Sequence, residues 1–310
     1  MQIIRGKEFQ LKEPCAVTIG KFDGLHKGHR LIIHELIRAK AQGLKSVVFS
    51  FEPSPEVYFG RQEAKYVLTE EEKQQVLASW GVDLYILYPF DEETAKTEPE
   101  VFLREVLIKQ LRMKRLVAGE DVSFGCGGRG NAEFLEKYER EYAYSMQLHP
   151  KVYTEDEEIS SSYLRDAVEF GEMERCSFLM GRDYSVSGIV CEGNHIGHSL
   201  GFPTCNLIPA EDKLLPPNGV YVTMTEIDGV RYPSVTNVGR KPTVSEKEPM
   251  GIETYLLDTE LDCYGKGITV IFFSMLRKEA RFDSFEHLKK QLAKDKKAAA
   301  DFHRLFKQGI

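Results

Sequence analysis

The amino-acid sequence predicts two unlike parts: a doubly wound α/β domain built on a parallel sheet, and a small antiparallel β-barrel with a terminal helix. In the first half, short apolar runs alternate with helical patterns, which is typical of a parallel sheet covered by helices. From Tyr184 onward the pattern changes to strands joined by turns rich in Gly, Pro and Asp. The change follows a helical stretch around 164–180, so we place the boundary near Gly181, with domains 1–182 and 183–310.

Apolar runs mark the predicted strands of the first domain, and each run is short enough for a buried strand. Helical patterns near 28–42, 69–80 and 98–113 separate them. The second of these helices opens on Thr69 followed by acidic residues, which favours a capped start, and Gly81 ends it. The predicted strands are Cys15–Ile19, Ser46–Phe51, Leu84–Tyr88 and Leu116–Ala118.

A hairpin is the strongest local signal in the second domain. Asp228-Gly229 separates the runs Val220–Ile227 and Val230–Val235, and Asp-Gly suits a two-residue turn because both central residues take positive φ. A long helical segment, Ser284–Lys307, closes the chain, and we expect its lysine-rich side to be a solvated face. Further predicted strands are Ile252–Leu257 and Ile268–Met275.

Composition argues against several classes of function. The chain has 310 residues and a net charge of −7, whereas nucleic-acid binders usually carry a basic face. No apolar run approaches the roughly 20 residues of a membrane span, and no apolar leader is visible at the start. We therefore expect a cytoplasmic protein without nucleic-acid or membrane partners, and oligomeric state is left open. The 6 cysteines lack metal-binding spacing, which predicts free thiols.

The stretch G-K-F-D-G-L-H-K-G-H at 20–29 joins the first predicted strand to the first predicted helix. Open α/β sheets bind ligands at such carboxyl ends of strands. The N–H groups of a helix start favour phosphate, glycine lets the backbone approach it, and imidazoles add charge-assisted hydrogen bonds. Satisfied core histidines are the alternative interpretation. The pattern favours a nucleoside-triphosphate site formed by Gly20, Phe22, Asp23, His26, Gly28 and His29.

Three more stretches of the first domain carry chemistry. The stretches 49–55 and 119–125 end strands at the same predicted sheet edge. A third, 159–165, places three serines and an arginine at a helix start. Hydroxyls there can hold phosphate, and an arginine can offset charge on a leaving pyrophosphate; a plain helix cap is the alternative for the serines. The candidates are Ser160, Ser161, Ser162 and Arg165.

In the second domain, Gly201-Phe-Pro-Thr-Cys-Asn206 places Thr204 and Asn206 two residues apart on a strand, so that both face one side. Hydroxyl and amide oxygens suit Mg²⁺ beside substrate phosphates, and a surface turn is the alternative. Glu253 is a carboxylate among alternating apolar residues. Either an exposed strand residue or a general base fits that pattern.

The ordered set of stretches resembles one family, the prokaryotic bifunctional riboflavin kinase/FAD synthetases. The resemblance covers nearly the whole chain and both predicted domains. Many ordered matches are far more specific than any single one of them. They lie at 20–29, 51–53, 119–125, 159–165, 201–206, 217–221, 237–243, 253 and 262–265.

The resemblance implies that the first domain is nucleotidylyltransferase-like and joins FMN to the AMP part of ATP, releasing pyrophosphate. His26 and His29 would contact the triphosphate and stabilise the transition state. The serines at 160–162 and Arg165 would bind the departing phosphates. On the flavin side, the resemblance implies Asp121 and Phe124.

For the second domain, the resemblance implies a riboflavin kinase that makes FMN from riboflavin and ATP. Thr204 and Asn206, beside Gly201 and Pro203, would hold Mg²⁺ and ATP. Glu253 would accept the proton of the ribityl 5′-hydroxyl. Mg²⁺ is therefore the expected cofactor, ATP the co-substrate, and riboflavin, FMN and FAD the flavins bound.

Five positions depart from the family pattern. Ser54 stands where histidine is usual, and Arg129 follows Gly128 where arginine usually comes one position earlier. His198 for arginine loses a permanent charge and a fork of donors. The other departures are Val122 for an aromatic residue and Cys205 for alanine.

Three hypotheses therefore remain. The first is an enzyme with both activities, which the retained histidines, metal-suited residues and carboxylate favour. The second is an enzyme with one active half, the other serving as a flavin or nucleotide sensor. The third is a flavin-binding protein without turnover.

Overall fold

The structure is a computed structural model that describes residues 1–155, 157–191, 202–240, 250–259, 261 and 263–307. Internal contacts divide the chain into two compact units, Met1–Ser161 and Ser162–Ile310. The first unit contains a six-stranded parallel sheet with helices, and the second contains a closed six-stranded antiparallel barrel with a terminal helix. The predicted fold class is confirmed.

The parallel sheet contains every strand that was predicted in the first domain, with ends extended by up to three residues. Its two edge strands, 2–5 and 145–149, were not predicted, because they are partly exposed and lack a buried apolar run. The strands are β1 (Gln2–Arg5), β2 (Cys15–Ile19), β3 (Lys45–Glu52), β4 (Leu84–Pro89), β5 (Met113–Gly119) and β6 (Ser145–His149). They lie in the order β1-β4-β3-β2-β5-β6.

Helices connect these strands. The last predicted helix of the sheet begins as an α-helix and continues as a π-helix, in which hydrogen bonds span one more residue. The helices are α1 (Lys27–Arg38), α2 (Pro55–Tyr58), α3 (Glu70–Ser79), α4 (Glu92–Lys96), α5 (Pro99–Val101, then π-helical over Phe102–Gln110) and α6 (Ala132–Tyr142).

The core of the first unit lies around the central strands. Strand β2 is buried at every position, as expected for a parallel sheet covered on both faces. Val17, Phe49, Ile86 and Leu116 come from four adjacent strands, and each is fully buried. Burying each such side chain contributes about 1.5–3 kcal/mol, so the sheet is a stable platform for the loops at its edges.

The barrel strands pair in the order β10-β11-β8-β7-β12-β9. The predicted hairpin is confirmed, with positive φ at Asp228 (51°) and Gly229 (78°). Its strands are β7 (Tyr184–Cys191), β8 (Thr204–Leu207), β9 (Gly219–Ile227), β10 (Val230–Arg240), β11 (Met250–Leu256) and β12 (Gly267–Lys278).

Helices α7 (Ser161–Glu169) and α8 (Met173–Met180) precede the barrel, and α9 (Phe285–Lys307) closes the chain. The buried side of α8 contacts β7 and β12. The two compact units divide after Ser161, the first residue of α7, whereas the sequence predicts a domain boundary near Gly181. Where the chain can be cut into independently folding domains stays a prediction.

Buried ion pairing and apolar packing hold α9 to the barrel. Ala299 packs with Val222 and Leu257. Asp295 is 5% exposed and accepts hydrogen bonds from the Arg277 guanidinium at 2.8–3.1 Å. None of the helices among the described residues has the length and apolar character to cross a membrane.

The six cysteines are free thiols, as predicted. Burial raises the pKa of Cys15 and Cys176 to about 12, so both stay protonated at neutral pH. They act as small apolar packing groups.

Candidate functional sites

The carboxyl ends of β3, β2 and β5 lie side by side, because β2 pairs with β3 on one side and with β5 on the other. The chain runs from β2 through β3 to β4 in one direction and then crosses back to β5. The strand order reverses between β2 and β5, and such a switch point is where open α/β sheets bind ligands. The stretches 20–29 and 119–125 leave the sheet on either side of it.

The glycines of the first stretch make room for its own rings. A Cβ at Gly20 would lie 3.0 Å from the Phe22 ring, and a Cβ at Gly28 would lie 3.2 Å from the His26 imidazole. Phe22 (φ 52°) and Gly24 (φ 74°) take the left-handed backbone that turns the chain. The glycines are predicted to admit phosphate, and Gly20 and Gly28 also seat two aromatic rings of the loop itself.

His26 and His29 stack at the start of α1. Their ring centroids are 3.7 Å apart, with an angle of 21° between the planes, and Phe22 meets His29 edge-on at 5.0 Å. His26 is the N-cap residue, and its Nδ1 accepts a hydrogen bond from the His29 backbone N–H at 3.4 Å. That bond requires an unprotonated Nδ1, which leaves Nε2 of His26 as a donor. Both imidazoles lie at the positive end of a helix dipole, where an anion is favoured.

Side chains and backbone from three other segments fix the loop between β2 and α1. Asp23 is fully buried, so its carboxylate braces the loop from within. The shape of the loop is therefore held by hydrogen bonds within the chain. The bonds are Ser50 Oγ to the Gly20 carbonyl (2.7 Å), Lys73 Nζ to the Lys21 carbonyl (3.4 Å), the Val67 N–H to Asp23 Oδ1 (2.9 Å) and Ser161 Oγ to the Asp23 carbonyl (3.1 Å).

Among the predicted serines, Ser161 contacts the loop through its hydrogen bond to the Asp23 carbonyl. Ser160 precedes α7, and Ser162 is exposed in its first turn. Arg165 lies one turn further along, 4.0 Å from Glu169, and its side chain is 14% exposed. Ser162 and Arg165 belong to the second compact unit. Their binding of phosphate stays a prediction.

The stretch after β5 is built around Phe124. Its ring is 3% exposed and packs against Phe102 and Phe134, so it supports the loop and presents little surface to a ligand. Asp121 is exposed, and its carboxylate folds back to within 2.7 Å of the Cβ position of Gly119. Whether these two residues contact flavin stays a prediction.

Two departures from the family pattern have local explanations. Ser54 is 4% exposed and caps α2, accepting a hydrogen bond from the Val57 N–H at 3.5 Å. Gly128 takes a φ of +67°, which a side chain rarely adopts. The neighbouring Arg129 is exposed and binds both carboxylate oxygens of Glu98 at 2.7 Å.

An aromatic cluster that the sequence reasoning missed lies at the same sheet edge. Phe51 is the next-to-last residue of β3, and Phe90 follows β4 directly. The rings of Tyr58 and Phe59 pack against Phe90 at 5.3 and 5.8 Å and remain 40% and 53% exposed. Exposed adjoining rings beside a phosphate-suited loop can hold a flat heterocycle. The aromatic residues between positions 49 and 59 are the sequence signal that could have revealed this cluster.

The barrel brings the predicted kinase residues onto one face. Asn206 lies opposite Glu253 in the β8–β11 register, and Asn237 lies opposite Glu253 on the other side. Thr204 shares the face of Asn206, two residues earlier, opposite Tyr255. Asn206 is 6% exposed, and Glu253 is half-buried. In the sequence, Asn237 stood out only as part of the matched stretch 237–243. The strand register places it beside Glu253.

Pro203 and Cys205 are the sequence neighbours of Thr204. Pro203 is half-buried and directly precedes β8. Gly201 and the departure at His198 lie outside the described residues. Cys205 lies opposite Thr254, on the face turned away from Thr204 and Asn206.

Comparison with known proteins identifies both halves. A family model described as FAD synthetase matches residues 8–163, and one described as riboflavin kinase matches residues 180–303. A bifunctional riboflavin kinase/FMN adenylyltransferase of Escherichia coli strain K12 is 34% identical, over 99% of each chain. This chain belongs to that family. The enzyme of the same name from Bacillus subtilis strain 168 is 33% identical, over 94% of this chain and 93% of its own.

This family member also resembles solved structures over its full length. A crystal structure described as a macrolide-efflux protein from Streptococcus pneumoniae has a TM-score of 0.88 and 28% sequence identity. The match covers 97% of this chain and 99% of that one. The likeness therefore extends over both compact units.

The oxygen donors of this riboflavin kinase half fit the magnesium ion that the family implies. The Asn206 side-chain nitrogen donates to the Thr204 carbonyl at 3.5 Å, which turns the amide oxygen away from that carbonyl. One amide oxygen and one hydroxyl are few ligands, but Mg²⁺ usually keeps several waters and takes others from substrate phosphates. Among the described residues no cluster of three or more His, Cys, Asp or Glu side chains forms a dedicated metal cage.

Proposed function

We propose that this chain carries out two successive reactions: phosphorylation of riboflavin to FMN by ATP at the barrel, and adenylylation of FMN to FAD at the edge of the parallel sheet. The observation that carries the proposal is the stacked pair His26 and His29 at the start of α1, beside the switch point. That arrangement suits a polyphosphate. Family membership supplies the flavin and the second activity.

Adenylyl transfer uses the loop at 20–29. A phosphate oxygen of FMN attacks the α-phosphorus of ATP, the bond to the β-phosphate breaks, and pyrophosphate leaves. His26, His29 and the N-terminus of α1 stabilise the charge that develops on the phosphate oxygens. Ser161 and Arg165 hold the departing pyrophosphate. No covalent enzyme intermediate is required, since positioning and charge stabilisation supply the rate.

The flavin ring needs a flat apolar surface near this loop. We assign it to the exposed rings of Tyr58 and Phe59, which lie at the same sheet edge. We assign Asp121 to the polar edge of the flavin, and Phe124 supports the loop of Asp121 from the core.

Phosphoryl transfer uses the barrel face. Glu253 accepts the proton of the ribityl 5′-hydroxyl, whose oxygen attacks the γ-phosphorus of ATP while the bond to ADP breaks. Thr204 and Asn206 hold Mg²⁺, which when bound neutralises charge on the ATP phosphates. Asn237 flanks Glu253 and can orient its carboxylate.

The other hypotheses keep specific support. The departures at Ser54 and His198 are the residues on which the hypothesis of one active half rests. Macrolide efflux is not proposed for this chain, because both family models and the curated relatives are described as enzymes that act on flavins. A cytoplasmic location and the absence of nucleic-acid and membrane partners stay predictions.

One experiment separates these hypotheses. Purified protein is incubated with riboflavin, ATP and Mg²⁺, and the flavins are separated by chromatography; a second reaction starts from FMN. FMN and FAD together support two activities, whereas FMN alone, or FAD from added FMN alone, assigns one active half. Tight flavin binding without product would contradict catalysis.

A further inference from the structure

A buried lysine lies beneath the loop that presents the two histidines. Lys73 is 7% exposed, although it is a charged residue on α3. Its Nζ lies 3.4 Å from the Lys21 carbonyl and 3.4 Å from Oε2 of Glu70. The helix start that places it is well defined, because Thr69 and Glu72 form a reciprocal capping box.

Two further side chains act beside this lysine, one on its carboxylate partner and one on the neighbouring peptide. Tyr85 on β4 is fully buried, and its hydroxyl donates to Glu70 Oε2 at 3.4 Å. Burial raises the pKa of Tyr85 well above its usual value, so its proton stays in place. Ser50 on β3 donates to the Gly20 carbonyl at 2.7 Å. Ser50 and Lys73 thus hold the carbonyls of the two residues that lead out of β2, each through its own hydrogen bond.

Stability alone gives weak reason for a charge in this position. Burying an ammonium costs free energy unless it is paired, and an apolar residue of similar volume often serves stability as well or better. The bond from Lys73 ends on the Lys21 carbonyl of the loop at 20–29, directly before Phe22 and the stacked histidines, and the Ser50 bond holds the Gly20 carbonyl beside it. A change in these bonds would therefore change the positions of the Phe22, His26 and His29 rings.

We infer that Lys73 is a positioning residue for adenylyl transfer, which holds the Lys21 carbonyl so that the loop presents His26 and His29 to the triphosphate. This inference rests on the proposed function. Lys73 acts through the loop and not through contact with substrate. Misplacing reacting groups by about 1 Å can cost about 100-fold in rate, so a loop released at this point should react slowly even when ATP binds.

The test uses the full chain and three variants. Lys73→Met removes the ammonium group, so that the Glu70 carboxylate loses its ion-pair partner. The double variant Glu70→Gln/Lys73→Met removes both charges. Lys40→Met is the matched control, because Lys40 also bridges a backbone carbonyl and a carboxylate, Gly81 at 3.1 Å and Asp83 at 2.8 Å. Those contacts lie before β4, at the opposite edge of the sheet.

Three measurements are made on each protein: kcat and KM for ATP in FAD formation from FMN, the rate of riboflavin phosphorylation, and thermal unfolding by fluorescence. The chain has 1 tryptophan, Trp80, which lies directly after α3, so its fluorescence reports the first unit. Rates are taken below the Tm of each variant. If Lys73→Met does not fold, the double variant carries the test, because it also neutralises the partly buried carboxylate that pairs with Lys73.

We expect both Lys73 variants to lose about 10- to 100-fold in kcat for FAD formation, with a smaller change in KM and unchanged riboflavin phosphorylation. The double variant should regain Tm but not kcat. A double variant that regains both would overturn the inference, since Lys73 would then only neutralise Glu70. So would a Lys73→Met protein at the parent rate. If the parent itself makes no FAD from FMN, the proposed function fails first.

Discussion

Replacing Gly28 by alanine should separate stability from adenylyl transfer. The new Cβ would lie 3.2 Å from Cε1 and Nδ1 of the His26 ring, which is tighter than an ordinary contact. The ring must therefore move by a few tenths of an ångström. It cannot move without disturbing its stack with His29 and the N-cap bond from the His29 N–H.

The size of the effect follows from that displacement. If a 1 Å misplacement costs about 100-fold, then a shift of about 0.3 Å costs about fourfold. Alanine in the first turn also favours the helix by up to about 1 kcal/mol over glycine. A gain of that size raises Tm by about 2–4 °C in a unit of this length. We therefore expect a Gly28→Ala protein that is as stable as the parent or more stable, with FAD formation lowered several-fold.

The assay measures initial rates of FAD formation from FMN and ATP, riboflavin phosphorylation on the same preparation, and Tm from Trp80 fluorescence. Gly267→Ala is the control, because a Cβ there meets no atom within 4 Å and Gly267 lies on the barrel. A folded Gly28→Ala protein that makes FAD at the parent rate would refute the idea that the His26 ring position limits the reaction. Equal losses of both activities would show an effect on the whole chain.

Three further predictions concern the two sites and the boundary. His29→Ala should lower FAD formation by about 10²–10³-fold and spare riboflavin phosphorylation, since one donor to developing charge is lost; unchanged FAD synthesis would reject this assignment. Glu253→Gln should lower riboflavin phosphorylation by about 10²–10⁴-fold with Mg²⁺–ATP binding nearly intact, and parent-rate FMN formation would leave Glu253 as an ordinary strand residue. A fragment that begins at Tyr184 should fold cooperatively and bind riboflavin with nucleotide, and one that begins at Ser162 should have a higher Tm because it keeps α8 on β7 and β12. Insolubility of both fragments would contradict independent folding.

Local sequence signals identified two kinds of element: strands that are buried at every position, and turns whose backbone only a few residue types accept. Strand β2 was predicted residue for residue, because its five positions are all buried and apolar runs reveal such strands. The Asp228-Gly229 turn was predicted because only a few residue pairs accept positive φ at both positions. The edge strands β1 and β6 were missed for the converse reason, since partly exposed strands leave no continuous apolar run.

By itself, the sequence determined the two architectures, the loop that carries His26 and His29, and the strand that carries Thr204 and Asn206, because each depends on neighbours within about ten residues. Only the tertiary structure decided which residues that are far apart in the sequence come into contact. Strand order made the β2–β5 gap a switch point, strand register set Glu253 between Asn206 and Asn237, and packing turned Phe124 into the core. It also brought Lys73 beneath the phosphate-suited loop. Such contacts join residues tens of positions apart, and no local pattern encodes which strands become neighbours.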